Sequence, residues 1–70
     1  MTYIIRWRNK NKTLHVLKGF DKNKPVWITD AQYRKGVPFY EFGTMADAQY
    51  YVKKVQKYGN YRGLSIVEIH

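Results

Sequence analysis

Apolar and polar positions alternate from the start of the chain. Tyr3, Ile5 and Trp7 fall on one side of an extended segment, and Ile4, Arg6 and Arg8 on the other. This spacing predicts a half-buried strand over residues 3–8. The polar run Asn9-Lys10-Asn11-Lys12 supplies residues that tolerate tight turns, and Thr13 to Phe20 then resumes with Leu14, Val16 and Leu17 among polar neighbours. The two segments read as a β-hairpin. Asp21 to Pro25 reads as a second turn ended by the proline, and Val26-Trp27-Ile28 is short, apolar and β-favouring. A three-stranded meander is the simplest product.

The period then changes. Thr29-Asp30-Ala31-Gln32 fits a capping box, and Gly36 follows where a helix would stop, which predicts one or two helical turns at 30–35. Val37 to Phe42 is extended in pattern because Pro38 disfavours helix at Val37, and reads either as a strand at a sheet edge or as an apolar loop. Thr44 is a good N-cap, Asp47 lies in the first turn, and Met45, Ala48, Val52 and Val55 repeat at helical spacing, so the main helix is predicted over about 45–58, closed by Gly59. Leu64 to Ile69 has apolar residues on both parities and reads as a closing strand buried mainly on two sides. The expected order is β-β-β-(short α)-β-α-β. It describes one α+β domain over residues 1–70, whose small antiparallel sheet is covered on one face by the main helix.

Size sharpens this picture. A chain of 70 residues removes a smaller share of its surface from water than a larger domain does. Without cysteine it has no disulfide staple and no thiolate metal site, a composition that favours a reducing compartment. Stability must come from the apolar side chains, which are unusually aromatic, with seven Tyr, three Phe and two Trp, each large enough to bury much area. The run Tyr3-Ile4-Ile5 is cut by Arg6 and Arg8 before a signal sequence could form, and no stretch reaches membrane-spanning length. These features predict a cytoplasmic protein with no membrane partner.

Catalytic and metal chemistry finds little to work with. His15 lies in a predicted strand, His70 is the last residue, and Ser65 is alone among apolar neighbours, so no nucleophile sits beside an oriented base. The carboxylates Asp30, Glu41, Asp47 and Glu68 are scattered, and no pair has the spacing that clusters metal ligands on a helix. The single glycines read as turn and helix-end residues, with no phosphate-cradling loop. The sequence therefore predicts no enzyme, no cofactor and no metal.

Two stretches carry a resemblance: Lys18-Gly19-Phe20-Asp21 with Lys24-Pro25-Val26-Trp27-Ile28-Thr29-Asp30, and then Phe42, Thr44, Ala48, Tyr51 and Val52. Together they resemble a widespread group of short, uncharacterised proteins of phages and Gram-positive bacteria, over most of the chain. The resemblance implies a phage or mobile-element origin, a bacterial host cell, and a binding protein that modifies host machinery or defence. It brings no catalytic motif.

Charge supplies the positive signal. The net charge is +8, and residues 1–24 hold +6 of it, residues 25–43 none and residues 44–70 the remaining +2. Arg6, Arg8, Lys10, Lys12 and Lys18 interleave with aromatics in the predicted hairpin. A second cluster, Tyr50, Lys53, Lys54, Lys57, Tyr61 and Arg62, lies on the outer helix face and the loop after it. Such cations suit phosphates while exposed rings stack on bases, which predicts a sequence-tolerant nucleic-acid binder of DNA or RNA. The alternative is a phage-type inhibitor or adaptor that docks on an acidic host protein, the same charges steering association. A homodimer is an easy way for so thin a core, with an edge near Pro38, to bury more apolar surface.

Overall fold

The computed structural model describes residues 2–59 and 61–69. Its elements run β1 (Thr2–Arg8), β2 (Leu14–Asp21), β3 (Lys24–Thr29), α1 (Asp30–Arg34), α2 (Met45–Gln56) and β4 (Leu64–Ile69). The four strands form one antiparallel sheet in the order β3-β2-β1-β4. This is the expected small α+β fold, with the N-terminal meander and the C-terminal strand in one sheet and α2 packed on one face.

Alternation along the strands decides which side chains meet α2. Tyr3, Ile5, Leu17, Trp27, Leu64 and Ile66 join Ala48 and Val55 of the helix, with Ile5, Leu17, Ala48 and Val55 fully buried. The opposite face is covered as well, which corrects the expectation that β1 is half-buried. Ile4, Val16 and Ile28 are buried there beneath Tyr33, Val37 and Phe39. The sequence concealed this second layer because its cover is short: α1 has five residues, and the apolar residues after it are spaced irregularly.

Local chemistry explains where α1 begins and ends. Thr29 Oγ1 accepts from the Gln32 backbone N–H at 3.1 Å, and the Gln32 side chain accepts from the Thr29 N–H at 2.9 Å, completing the capping box. At the other end Gly36 takes φ +88°, its N–H donates to the Tyr33 carbonyl, and Val37 N–H donates to that of Gln32. This Schellman closure needs the left-handed conformation that glycine adopts freely. Thr44 caps α2 by accepting from Asp47 N–H at 3.1 Å, and the helix ends at Gln56, two residues short of the expected boundary, with residues 57–59 in a turn.

The β2–β3 turn is tighter than the sequence suggested. Only Lys22 and Asn23 form it, both at positive φ, while Lys24 and Pro25 already belong to β3. Pro25 is tolerated because β3 is an edge strand, where a missing N–H need not break a ladder.

Residues 37–42 form no named strand. β1 and β2 pair only at Arg6, Trp7 and Arg8 opposite Val16, His15 and Leu14, and β2 is bulged at Lys18 in its ladder with β3. Residues 40–42 lie beside both strands: Tyr40 N–H donates to the Leu17 carbonyl at 2.9 Å, and Tyr3 and Phe42 exchange two backbone hydrogen bonds of 2.8 Å. Phe39 packs with the α1 face and Tyr40 and Phe42 with the α2 face, so this segment joins the two layers. β4 differs from expectation too. Its apolar residues are half-buried rather than buried, because β4 has a neighbouring strand on one side only.

Candidate functional site

β1 ends in a group of four rings. Trp7 is paired in the sheet with His15 on β2 and Leu64 on β4, and so points to the α2 face. Its ring centroid lies 5.3 Å from His15, 5.3 Å from Trp27 and 4.9 Å from Tyr61, the last edge-on at 86°. Tyr61 also packs 5.6 Å from Trp27. Edge-on and tilted contacts of this kind hold rings in place beyond what area alone supplies, by about 0.5–1.5 kcal/mol per pair. The Trp27 Nε1–H is buried in this group, and no acceptor among the described residues meets it. Packing, then, positions the rings.

Trp7 has a second environment. With Arg8, Asn9, Lys10, Arg62 and Gly63 it lines an open recess of about 720 Å³. That size lies within the range of small-molecule sites. Three of the six lining residues are cationic, and they come from two distant stretches of chain.

Two local arrangements bring those stretches together. The Asn9 side chain accepts from the backbone N–H groups of Asn11 and Thr13, both at 3.0 Å, while Asn9 N–H donates to the Thr13 carbonyl at 3.2 Å. This closes the β1–β2 turn and holds Lys10 beside the recess. From the other side, Gly63 at φ +77° lies so close to β1 that a β-carbon there would stand 3.2 Å from the Arg8 carbonyl oxygen. The positive φ and the close contact together favour glycine, and the approach brings Arg62 up to Arg8. On the other sheet face Arg6, Arg8, Leu14, Gly63 and Ser65 line a smaller depression of about 280 Å³, sharing Arg8 and Gly63 with the first.

The two predicted clusters are thus partly united and partly separate. Arg6, Arg8, Lys10 and Arg62 meet around the β1–β4 end of the sheet. Tyr61 supports Trp7 from behind and does not line the recess. Tyr50, Lys53, Lys54 and Lys57 line a different groove of about 450 Å³ together with Asn23 and Tyr58. Lys12, in the turn at φ +62°, and Lys18, at the bulge, are exposed and line none of these three depressions. Gly63, Asn23 and Tyr58 belong to the surfaces without having stood among the predicted site residues.

The cations are largely unused by the fold. Among the described residues the ion pair is Arg34 Nε to Asp30 Oδ2 at 3.0 Å, on the α1 surface away from the recess. Lys54 is an exception of another kind, its Nζ lying 5.2 Å from the Phe20 centroid and 5.6 Å from that of Tyr51. Near it, the Tyr40 phenol is raised above its ordinary value by the neighbouring Tyr51 hydroxyl, then by burial and the Asp47 charge.

Other sequence candidates do not converge. His15 is held by its ring contact with Trp7 and by the Thr13 carbonyl, 3.1 Å from Nδ1. His70 lies outside the described residues. Among the described residues no three His, Asp or Glu side chains cluster as metal ligands do, and no helix is long and apolar enough to cross a membrane. Comparison with protein-family models, curated proteins and solved structures finds no match to this chain.

Proposed function

We propose that this chain is a small basic binding protein that holds single-stranded nucleic acid at the Trp7 recess, with no catalytic step. The observation that carries the reading is the lining itself: an aromatic ring set among Arg8, Lys10 and Arg62 in one recess. A base laid on Trp7 gains about 1–3 kcal/mol, whatever its identity, because every base has a π-face. The two guanidinium groups offer planar forks to phosphate oxygens, and Lys10 adds a point charge. A duplex keeps its base faces stacked on one another, so a recessed ring favours a single strand. The resemblance to short phage proteins supports a bacterial host cell as the setting.

Titration of a fluorescently labelled oligonucleotide, single-stranded and then duplex, at low and moderate salt tests this. The expected result is single-strand binding that weakens steeply with salt and quenches tryptophan emission. Absence of binding at low salt ends the proposal.

A second reading has its own observation. Tyr50 is 63% exposed and Tyr58 46%, and both share the α2 groove with Lys53 and Lys57. Exposed tyrosines flanked by lysines suit an acidic face of a host protein, with the rings as anchors and the charges steering the approach. In that case capture from a nuclease-treated bacterial lysate survives Trp7→Ala and is lost in Tyr50→Ala/Lys53→Glu. Loss of every captured protein on nuclease treatment counts against it.

A further inference from the structure

The sheet has two edges, β3 and β4, and they are built differently. β3 carries Lys24 and Pro25, pairs with β2 through a bulge and runs straight into α1. Lysine, proline and bulges are among the devices by which natural edges refuse another strand. β4, Leu-Ser-Ile-Val-Glu-Ile, has none of these three, its one charged side chain being Glu68, and its register with β1 is unbroken over six residues. It is also the strand of this sheet without a cation: β1 has Arg6 and Arg8, β2 has Lys18 and β3 has Lys24. In a chain of net charge +8, the one charged side chain of this strand is the carboxylate of Glu68.

Both apolar layers run out to β4 and stop there. Leu64 and Ile66 belong to the α2 face, Val67 and Ile69 to the α1 face, and all four are only half-buried. An added strand would cover both layers at once and satisfy the backbone groups along the edge.

We propose that β4 pairs antiparallel with β4 of a second copy, joining two sheets of four strands into one of eight about a two-fold axis normal to the sheet. An antiparallel strand is complementary to itself under such an axis, so each apolar layer meets the same layer of its partner. Repulsion between two strongly basic chains is also weakest at the edge that carries no cation. The expected dimer edge near Pro38 is thereby replaced by β4, since residues 37–42 form no named strand.

The axis keeps both α2 faces, and so both Trp7 residues, on one side of the joined sheet. Trp7 pairs with Leu64, one strand in from the edge. With about 3.4 Å per residue and about 4.8 Å between strands, the two Trp7 residues stand on the order of 20 Å apart. This last consequence rests on the proposed function: one oligonucleotide can reach both recesses, and the second contact is then intramolecular.

Sedimentation equilibrium of the full chain across a wide concentration range tests the pairing, beside Ser65→Lys/Glu68→Lys, whose two sites are exposed and whose fold is checked by circular dichroism. The expected result is a dimer whose dissociation constant rises at least tenfold in the variant. Amide exchange should also slow at residues 64–69 as concentration rises. A chain that stays monomeric at every concentration overturns the proposal and leaves the edge to an extended segment of another protein. A dimer unaffected by the two lysines places the contact elsewhere and overturns it equally. Trp7→Ala separates the two readings: it abolishes oligonucleotide binding and leaves the dimer intact, so either proposal fails without the other.

Discussion

Gly63 lies against the backbone of Arg8 at a distance that would crowd any side chain. A β-carbon at position 63 would stand 3.2 Å from the Arg8 carbonyl oxygen and 3.6 Å from the Arg8 Cβ, and φ there is +77°. Gly63→Ala therefore meets two penalties, left-handed strain of about 1–2 kcal/mol and a backbone contact that has to open. Gly36→Ala meets only the first, since φ is +88° but the space around it is empty. Urea denaturation should rank Gly63→Ala as the more destabilising. Because the loop must move away from β1, Gly63→Ala should also weaken oligonucleotide binding, which Gly36→Ala leaves alone.

The recess makes a prediction about salt that exposed lysines elsewhere do not share. Each phosphate contact with a single strand contributes about 0.7 to the slope of log affinity against log salt. Arg8→Ala and Arg62→Ala should each lower that slope by about 0.7, whereas Lys12→Ala and Lys18→Ala, which line none of the three depressions, should leave it nearly unchanged. Equal effects at all four positions would mean a diffuse field rather than a site.

The β2–β3 turn holds Lys22 at φ 49° and Asn23 at φ 68°. Two-residue hairpin turns of this hand favour Asn followed by Gly, and lysine is a poor occupant of the first position. Lys22→Asn/Asn23→Gly should stabilise the fold, read as a shift in the urea midpoint, because it relieves part of the left-handed strain, about 1–2 kcal/mol for an ordinary residue. It alters Asn23 in the α2 groove and leaves the Trp7 recess untouched, so oligonucleotide affinity should not change.

Thr29 supports a helix too short to stand alone. Removing its hydroxyl deprives Gln32 N–H of an acceptor, and Thr29→Ala should cost about 0.5–2 kcal/mol. The loss should appear first as faster amide exchange in α1 and at Ile28, since Tyr33 on α1 packs over Ile28 and Ile4.

These cases show which parts of the molecule were readable in its sequence. The capping box at Thr29, the N-cap at Thr44 and the stop at Gly36 involve partners within a few residues, and all three follow the predicted pattern. The meander was legible for the same reason, as alternation broken by turn residues. Ile4 was misplaced because its cover, Val37 and Phe39, lies more than thirty residues away, and no local period records that contact. Arg8 and Arg62 were each visible as cations, but their meeting depends on Gly63 approaching β1. Trp7 was readable both as a core residue and as a surface ring, and it is both, with Tyr61 and Trp27 behind it and the recess in front.

The contact of residues 40–42 with β1 and β2 has a consequence for the order of folding. Hairpin contacts between β1 and β2 close a small loop and can form early, but Phe42 reaches Tyr3 only after a loop of nearly forty residues has closed. On the same argument the pairing of β4 with β1 comes later still, since Trp7 and Leu64 are more than fifty residues apart, so residues 40–42, neither helix nor strand, join the layers between the early hairpin and the closing strand. Shortening the turn at 9–13 would speed a step already fast, whereas a change at Tyr40 or Phe42 would govern when the two layers lock together.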